Sequence, residues 1–351
     1  MKFITPRFWM AAGFGFALLV VLIALLTHQG DFFFFINIGA PMLSRDVSWR
    51  QGYDGQFAYF IARDPMTAAS QLDEPAYRFQ RILYPLLARL LALGWADAVP
   101  MTLVVVNILA VAFGTGAFAE LLNREGAPVW TPLLFFMWFG VGQSLLYDLN
   151  EIIALAFALW GLVSFFRERM IWAGVLFALG ALAKDMTFLF AVPAIANLFF
   201  ARRWRAATQL LLLSASPFVV WMFILKLWLD RWSFAVHATR FEIIPFGGFD
   251  GSDPVFPLVF ALLIIPGIVC IWCAVRRLSQ VYALATLFSF AFLVFLPAYS
   301  YPAHAVFRLN TPLVLMGALL FANIGCRWCL KLFAVVWSTT SVLTLLVAVR
   351  P

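Results

Sequence analysis

Asp54 lies between two glycines in Gly52-Tyr53-Asp54-Gly55-Gln56-Phe57, within a chain of 351 residues that is 64% hydrophobic and only 12% charged. In so apolar a chain, a carboxylate away from bulk water needs a reason to be there. The flanking glycines give the backbone freedom to present it toward a ligand. A carboxylate held this way can take a proton from a hydroxyl, cap a helix, or hold a cation. Gln56, Phe57, Tyr59 and Ile61 continue as a short amphipathic helix, and Asp64-Pro65 ends it, because the residue before proline avoids helical geometry.

Cations follow closely. Arg78 and Arg81 are three apart, so one helix would place both guanidinium forks on one face, where they can grip a phosphate bidentately or snorkel to lipid headgroups. Asp148, Asn150 and Glu151 form a third polar group, and Lys184-Asp185 a fourth. His304 and Arg308 are four apart, on one face of a prospective helix. Cys270-x-x-Cys273 and Cys326-x-x-Cys329 hold all four cysteines. They have no histidine partner and lie among Ile271, Trp272 and Trp328, so apolar packing is favoured over a four-thiolate zinc site.

These groups need elements to position them, and the elements are apolar spans. Mean hydropathy is +0.94. Apolar runs near the ~20 residues that cross a bilayer recur at 8–27, 100–122, 130–147, 150–166, 171–183, 186–200, 208–229, 254–274, 281–298, 309–325 and 329–349. With the N-terminus inside, eleven crossings put Arg124, Arg167/Arg169, Arg202/Arg203/Arg205, Arg276/Arg277 and Arg327 with Lys331 on the cytoplasmic side. The first span, preceded by Lys2 and Arg7, is longer than a signal-peptide core and has no small-x-small site after it, so it reads as uncleaved. The net charge of +7 comes mostly from these orienting clusters and carries no expectation of nucleic-acid binding. Ile82 to Gly94 is short and carries Arg89, so it reads as an in-plane helix at the outer interface. The whole chain, 1–351, is then one integral membrane domain, with a large first extracytoplasmic loop at 28–99 and a second outer loop at 230–253. Every candidate group above except the cysteines falls on the outer face. The spans themselves are almost free of ionisable residues, unlike those of ion-coupled pumps.

Tyr53-Asp54-Gly55-Gln56-Phe57 with Arg63-Asp64-Pro65, then Arg81-Ile82-Leu83-Tyr84-Pro85, resembles the loop signature of bacterial mannosyltransferase-like members of the GT-C superfamily of membrane glycosyltransferases. Lys184-Asp185-Met186-Thr187 loosely matches an outer turn of Lys-Glu-Thr type, with Asp in place of Glu. The resemblance covers the architecture of the whole chain, but specific residues only in about 52–85 and near 184–187. It implies an all-α polytopic protein of the bacterial inner (cytoplasmic) membrane with a GT-C-like fold. It also implies a polyprenyl-phosphate-linked sugar as donor, a glycan, lipid or protein acceptor, and an active site facing the periplasm. Asp54 is the carried-over general base. Arg78, Arg81, Lys184 and Arg308 are candidates to stabilise the leaving phosphate. Tyr53, Gln56, Tyr59, Asp64, Asp148, Glu151, Asp185 and His304 complete the candidate substrate site, with Trp49 as a further stacking residue. Asp54 with Asp64 or Asp148 also makes an oxygen-rich set for a divalent cation, and the cofactor stays open. A lipid-linked saccharide transporter and a non-catalytic envelope-assembly protein are the rival classes.

Overall fold

The computed structural model describes residues 5–38, 52–235, 244–246, 256–296, 306 and 308–348. Among these residues all regular structure is helical, with no strand. Helix α1 (Pro6–Thr27) starts where the Thr5 hydroxyl accepts from the Phe8 amide at 3.4 Å and proline fills the first position. After the short α2 (Phe33–Ile36), three small helices follow: α3 (Gly55–Arg63), α4 (Pro75–Phe79) and α5 (Leu83–Leu91). Helix α6 (Val99–Arg124) is the central post of the bundle, buried along most of its length. Gly13 of α1 lets the two backbones approach closely, since a Cβ there would stand 2.5 Å from the Thr115 hydroxyl of α6.

Among the described residues, three helices are long and apolar enough to cross a membrane: Pro6–Thr27, Ala96–Arg124 and Trp204–Leu229, the last being α12 (Trp204–Leu229). Six further apolar helices among the described residues have 10–17 residues. They include α9 (Glu151–Phe166), α10 (Met170–Ala183), α11 (Phe188–Phe200), α14 (Val281–Val294) and α15 (Thr311–Asn323). Hydropathy windows thus foresaw where apolar helices lie, and the all-helical architecture is consistent with a helical membrane protein without fixing the number of spans at eleven. The stretch 130–147 in particular is not one helix. It forms α7 (Leu133–Phe136) and α8 (Phe139–Leu146), separated at Trp138, whose backbone is extended. The Trp138 indole N–H donates to the Thr311 hydroxyl at 3.1 Å, a tertiary bond that hydropathy cannot register.

A short helix forms where one was expected after Ile82. Nine residues make α5 ~14 Å long, less than half of the ~30 Å hydrocarbon thickness. Its inner face buries Tyr84, Pro85 and Ala88, while Leu86, Leu90 and Leu91 are exposed. Arg89 ties it to α3, donating to the carbonyls of Ala62 (2.9 Å) and Arg63 (2.6 Å) at the end of that helix, where a cation is favoured. Farther along, α12 holds α4 in place, its Trp221 indole donating to the Phe79 carbonyl at 2.8 Å. The remaining helices are α13 (Phe256–Val275) and α16 (Arg327–Ala348). Cys326 and Cys329 are joined in a disulfide at the start of α16, which removes them both from a four-thiolate site and from simple apolar packing. Cys270 and Cys273 of α13 are buried free thiols, as expected of packed cysteines.

Candidate functional site

Asp54 occupies the N-cap position of α3, yet its side chain makes no capping hydrogen bond. Its two oxygens turn away from the helix. Oδ1 accepts from Arg78 Nη1 and Oδ2 from Arg308 Nη1, each at 3.1 Å, from residues 24 and 254 positions away. Of the roles open to Asp54, capping its own helix is the one its side chain does not take, and its contacts are tertiary. Gly55 makes the placement possible for a steric reason: a Cβ there would lie 2.3 Å from the Tyr147 carbonyl oxygen. The start of α3 is thus pressed against the turn between α8 and α9, bringing the first loop to Asp148–Glu151. Close approach, more than the loop freedom anticipated, is what this glycine supplies.

Around Asp54 the ion pairs run in a chain. Arg308 also touches Glu151 at 3.2 Å, and Glu151 is bonded in turn by Lys184. Glu151 opens α9, where the helix terminus favours a negative charge. On the other side, Arg78 binds Asp73 through two bonds of 2.8 and 2.7 Å and lies 3.8 Å from the centre of the Phe57 ring. Arg308 lies 5.3 Å from the Tyr53 ring centre. Tyr53 rests on Tyr147 at 4.9 Å, and Gln143 donates to its hydroxyl at 3.4 Å.

These contacts fix the charge states. Burial pushes the Asp54 carboxyl up, but Arg308, Arg78, Arg81 and Lys184 together outweigh it and hold Asp54 well below the usual carboxylate range. Asp54 is therefore an anion, and with 32% of its side chain exposed it can be reached from solvent. Burial raises the Tyr53 phenol to about 12, keeping it neutral. Lys184 is pulled down to about 8 by burial, which its partner Glu151 only partly offsets.

Asp148 behaves differently. It is fully buried with no cation within 4 Å among the described residues, and burial pushes it well above the usual range despite help from Asn107 and Tyr84. Its backbone takes a left-handed turn (φ 48°). Tyr84 donates within reach of both Asp148 Oδ1 (3.4 Å) and the Leu103 carbonyl (3.1 Å), while Asn107 donates to the Tyr84 hydroxyl at 2.8 Å. This buried polar knot ties α5 and α6 to the α8–α9 turn.

The expected helical face carrying both Arg78 and Arg81 does not form. Helix α4 ends at Phe79, and Arg81 falls in the turn before α5. Both guanidiniums nevertheless line one small recess of about 30 Å³, together with Asp54, Phe57, Tyr84 and Asp148. Gln80 reaches Asp185 at 3.3 Å, which places the Lys184-Asp185 turn beside this loop. Gln56 is buried near the start of α3.

Other expected members stand apart. Asp64 caps the far end of α3, accepting from the Thr67 hydroxyl (2.7 Å) and the Met66 amide (3.2 Å). Nine helical residues put it ~14 Å from Asp54, too far to share a metal ion. Tyr59 is buried against Phe33 at 5.6 Å, on a different face of α3 from the recess-lining Phe57, Ala58 and Ile61. His304 and Trp49 lie outside the described residues, as do Arg45, Asp46, Arg50, His237, Arg240, Glu242, Asp250 and Asp253. As a donor set for a divalent cation the recess fits poorly, because each Asp54 oxygen already faces a guanidinium and Asp148 is held neutral.

Sequence reading overlooked Asp73, Phe57, Tyr77, Tyr84 and Asn107 as site partners. Asn107 carried a usable signal, since a polar amide inside an apolar span must find a partner. No family model, curated protein or solved structure matches this chain.

Proposed function

We infer that this protein is a polytopic membrane glycosyltransferase. It moves a sugar from a polyprenyl-phosphate donor to an acceptor hydroxyl at the extracytoplasmic face of a bacterial inner membrane, with the basic clusters at the opposite helix ends in the cytoplasm. One observation carries this: an N-cap aspartate gives up its capping bond to sit, ionised and accessible, among four cations drawn from separate parts of the chain.

In this reaction the acceptor oxygen attacks the anomeric carbon, and its proton passes to Asp54. The bond from that carbon to the phosphate oxygen breaks, and the electron pair leaves on the phosphate. Nearby guanidiniums stabilise the charge that develops there. Displacement at one carbon by one oxygen inverts its configuration. A carboxylate clamped by two guanidiniums is a weak base. Weak basicity suffices when the departing bond is largely broken before the proton moves, as in oxocarbenium-like transition states. An arriving phosphate also competes for the same guanidiniums and raises the basicity of Asp54.

The test is Asp54→Asn in the full chain, assayed with inner-membrane lipid extracts and a radiolabelled sugar donor pool. The variant is expected to fold and insert but to lose transfer by about 10²–10⁴-fold, the usual worth of a general base. Near-normal transfer by this variant would remove Asp54 from the mechanism. Movement of lipid-linked sugar across vesicles without covalent transfer would replace catalysis with transport.

A further inference from the structure

Four cations meet at this end of the molecule, and their partners are unequal. Arg78 is saturated by Asp73 and Asp54, Arg308 bridges Asp54 and Glu151, and Lys184 is bonded to Glu151. Arg81 alone has no carboxylate within 4 Å among the described residues. Its one hydrogen bond goes to the Tyr77 hydroxyl, at 2.5 Å, and its guanidinium lies 4.5 Å from the Tyr77 ring centre. Its Nε is buried with no hydrogen-bond partner. The carboxylates whose charge reaches it are otherwise engaged: Asp185 accepts from Gln80, Asp54 is held by Arg78 and Arg308, and Glu151 by Lys184 and Arg308. Removing a cation from water without an anion is costly, and guanidinium's planar fork matches a phosphate's oxygens.

We propose that Arg81 is the primary anchor for the anionic phosphate ester of a ligand in the recess beside Asp54, whereas Arg78 and Arg308 are positioning residues that hold Asp54. This assignment deepens the glycosyl-transfer reading and rests on it only for the phosphate's place in the reaction. Arg81 and Asp54 line the same recess, so an ester bound at Arg81 presents its bridging oxygen to the carboxylate's side of the cavity. The sign of the Asp54 charge then yields a second, opposite expectation. Asp54 competes with the phosphate for neighbouring guanidiniums, so neutralising it strengthens anion binding while abolishing transfer.

Binding is read on the purified full chain in detergent, from the concentration dependence of the thermal midpoint. The probes are farnesyl phosphate, farnesol and inorganic phosphate. Farnesyl phosphate is expected to raise the midpoint saturably, and farnesol is not. Arg81→Gln is expected to weaken farnesyl phosphate at least tenfold, about 1.4 kcal/mol. Arg81→Lys should fall between the two, keeping charge without the fork, and serves as the probe if the glutamine variant fails to fold. Asp54→Asn is expected to bind as tightly as the parent or more so. Competition by millimolar inorganic phosphate marks the phosphate itself as the recognised group. Insensitivity to inorganic phosphate, with farnesol as effective as farnesyl phosphate, would mean that the hydrocarbon alone is bound, and overturns the assignment. Equal affinity in Arg81→Gln also overturns it, leaving Arg81 a strap to Tyr77. The two readings fail separately: transfer with an unchanged KM in Arg81→Gln sinks the anchor alone, while an Arg81-dependent affinity without any transfer sinks catalysis alone.

Discussion

The two ends of the helical bundle both carry ion pairs, but the pairs differ in kind. At the end remote from Asp54, Arg167 pairs with Glu120 and Arg203 with Glu168, joining neighbouring helices through side chains that are largely exposed. At the Asp54 end, Arg308, Glu151 and Lys184 are almost fully buried, and one guanidinium links Asp54 of the first loop to Glu151 at the start of α9. Exposed pairs gain little, because water screens them and ordering two long side chains costs entropy. Buried charges carry a desolvation cost that is recovered only when every partner is present. Charges suited only to orienting helices need nothing more than the remote arrangement. The buried arrangement makes sense where an incoming group exploits the field.

The largest effect should come from breaking that contrast directly. Arg308→Met leaves Glu151 and Asp54 short of a buried partner, and is expected to destabilise the fold by about 3–5 kcal/mol. Arg203→Met removes an exposed pair and should cost at most about 1 kcal/mol. Chemical unfolding in detergent, followed by tryptophan fluorescence, measures both. Similar losses in the two variants would mean that the buried chain is no more than another set of orienting charges.

A smaller effect sharpens the same distinction through pH. Lys184 is held at about 8 in the folded protein against an ordinary 10.5, so between these values the unfolded chain binds a proton that the folded chain does not. The burden of this buried ammonium is therefore greatest below pH 8 and is relieved as pH rises toward 10.5. The site, however, loses a cation over the same rise. Transfer should accordingly decline on an alkaline limb near pH 8, even as stability does not. Lys184→Arg, which keeps its charge, should move that limb upward by more than one pH unit. An unchanged limb would show that Lys184 is not the group titrating.

Much of this was legible in the chain before any coordinates. Apolar helix positions, the short helix near Ile82 and the stop at Asp64-Pro65 follow from local patterns that three-dimensional packing reinforces. Asp54, Arg78, Lys184 and Arg308 were singled out because charge is scarce in this composition, so each one stood out. Pairing was not legible. Whether Asp54 caps α3 or reaches Arg308 depends on how closely α3 approaches Tyr147, a contact between segments about 90 residues apart. The same limit misplaced Asp64 and Tyr59, whose sequence distance from Asp54 is small but whose helix positions point elsewhere. It also hid the break at Trp138, where a side-chain bond to Thr311 overrides an apolar run.

The smallest predicted effect concerns Asp148, a fully buried acid at this end with no cation within 4 Å among the described residues. Its Oδ2 and the Oδ1 of Asn107 are both buried acceptors without a donor. A proton retained on Asp148 supplies the missing donor, in keeping with the upward push that burial gives this acid. Because the folded protein then holds a proton that the unfolded chain gives up, this residue's contribution to stability is present at low pH. It is lost as pH rises above the ordinary carboxylate value toward the raised one. Asp148→Asn replaces that proton with a permanent amide donor of the same shape. It should change stability by less than about 1 kcal/mol, flatten the pH dependence of unfolding over this window, and leave transfer intact. Asp148→Ala strands Tyr84 and Asn107 instead and should cost about 1–3 kcal/mol. Were Asp148 an ionised partner of Asp54, as either metal ligand or second base, the asparagine variant would lose transfer while remaining folded, and the division between charged and neutral acids at this end would be wrong.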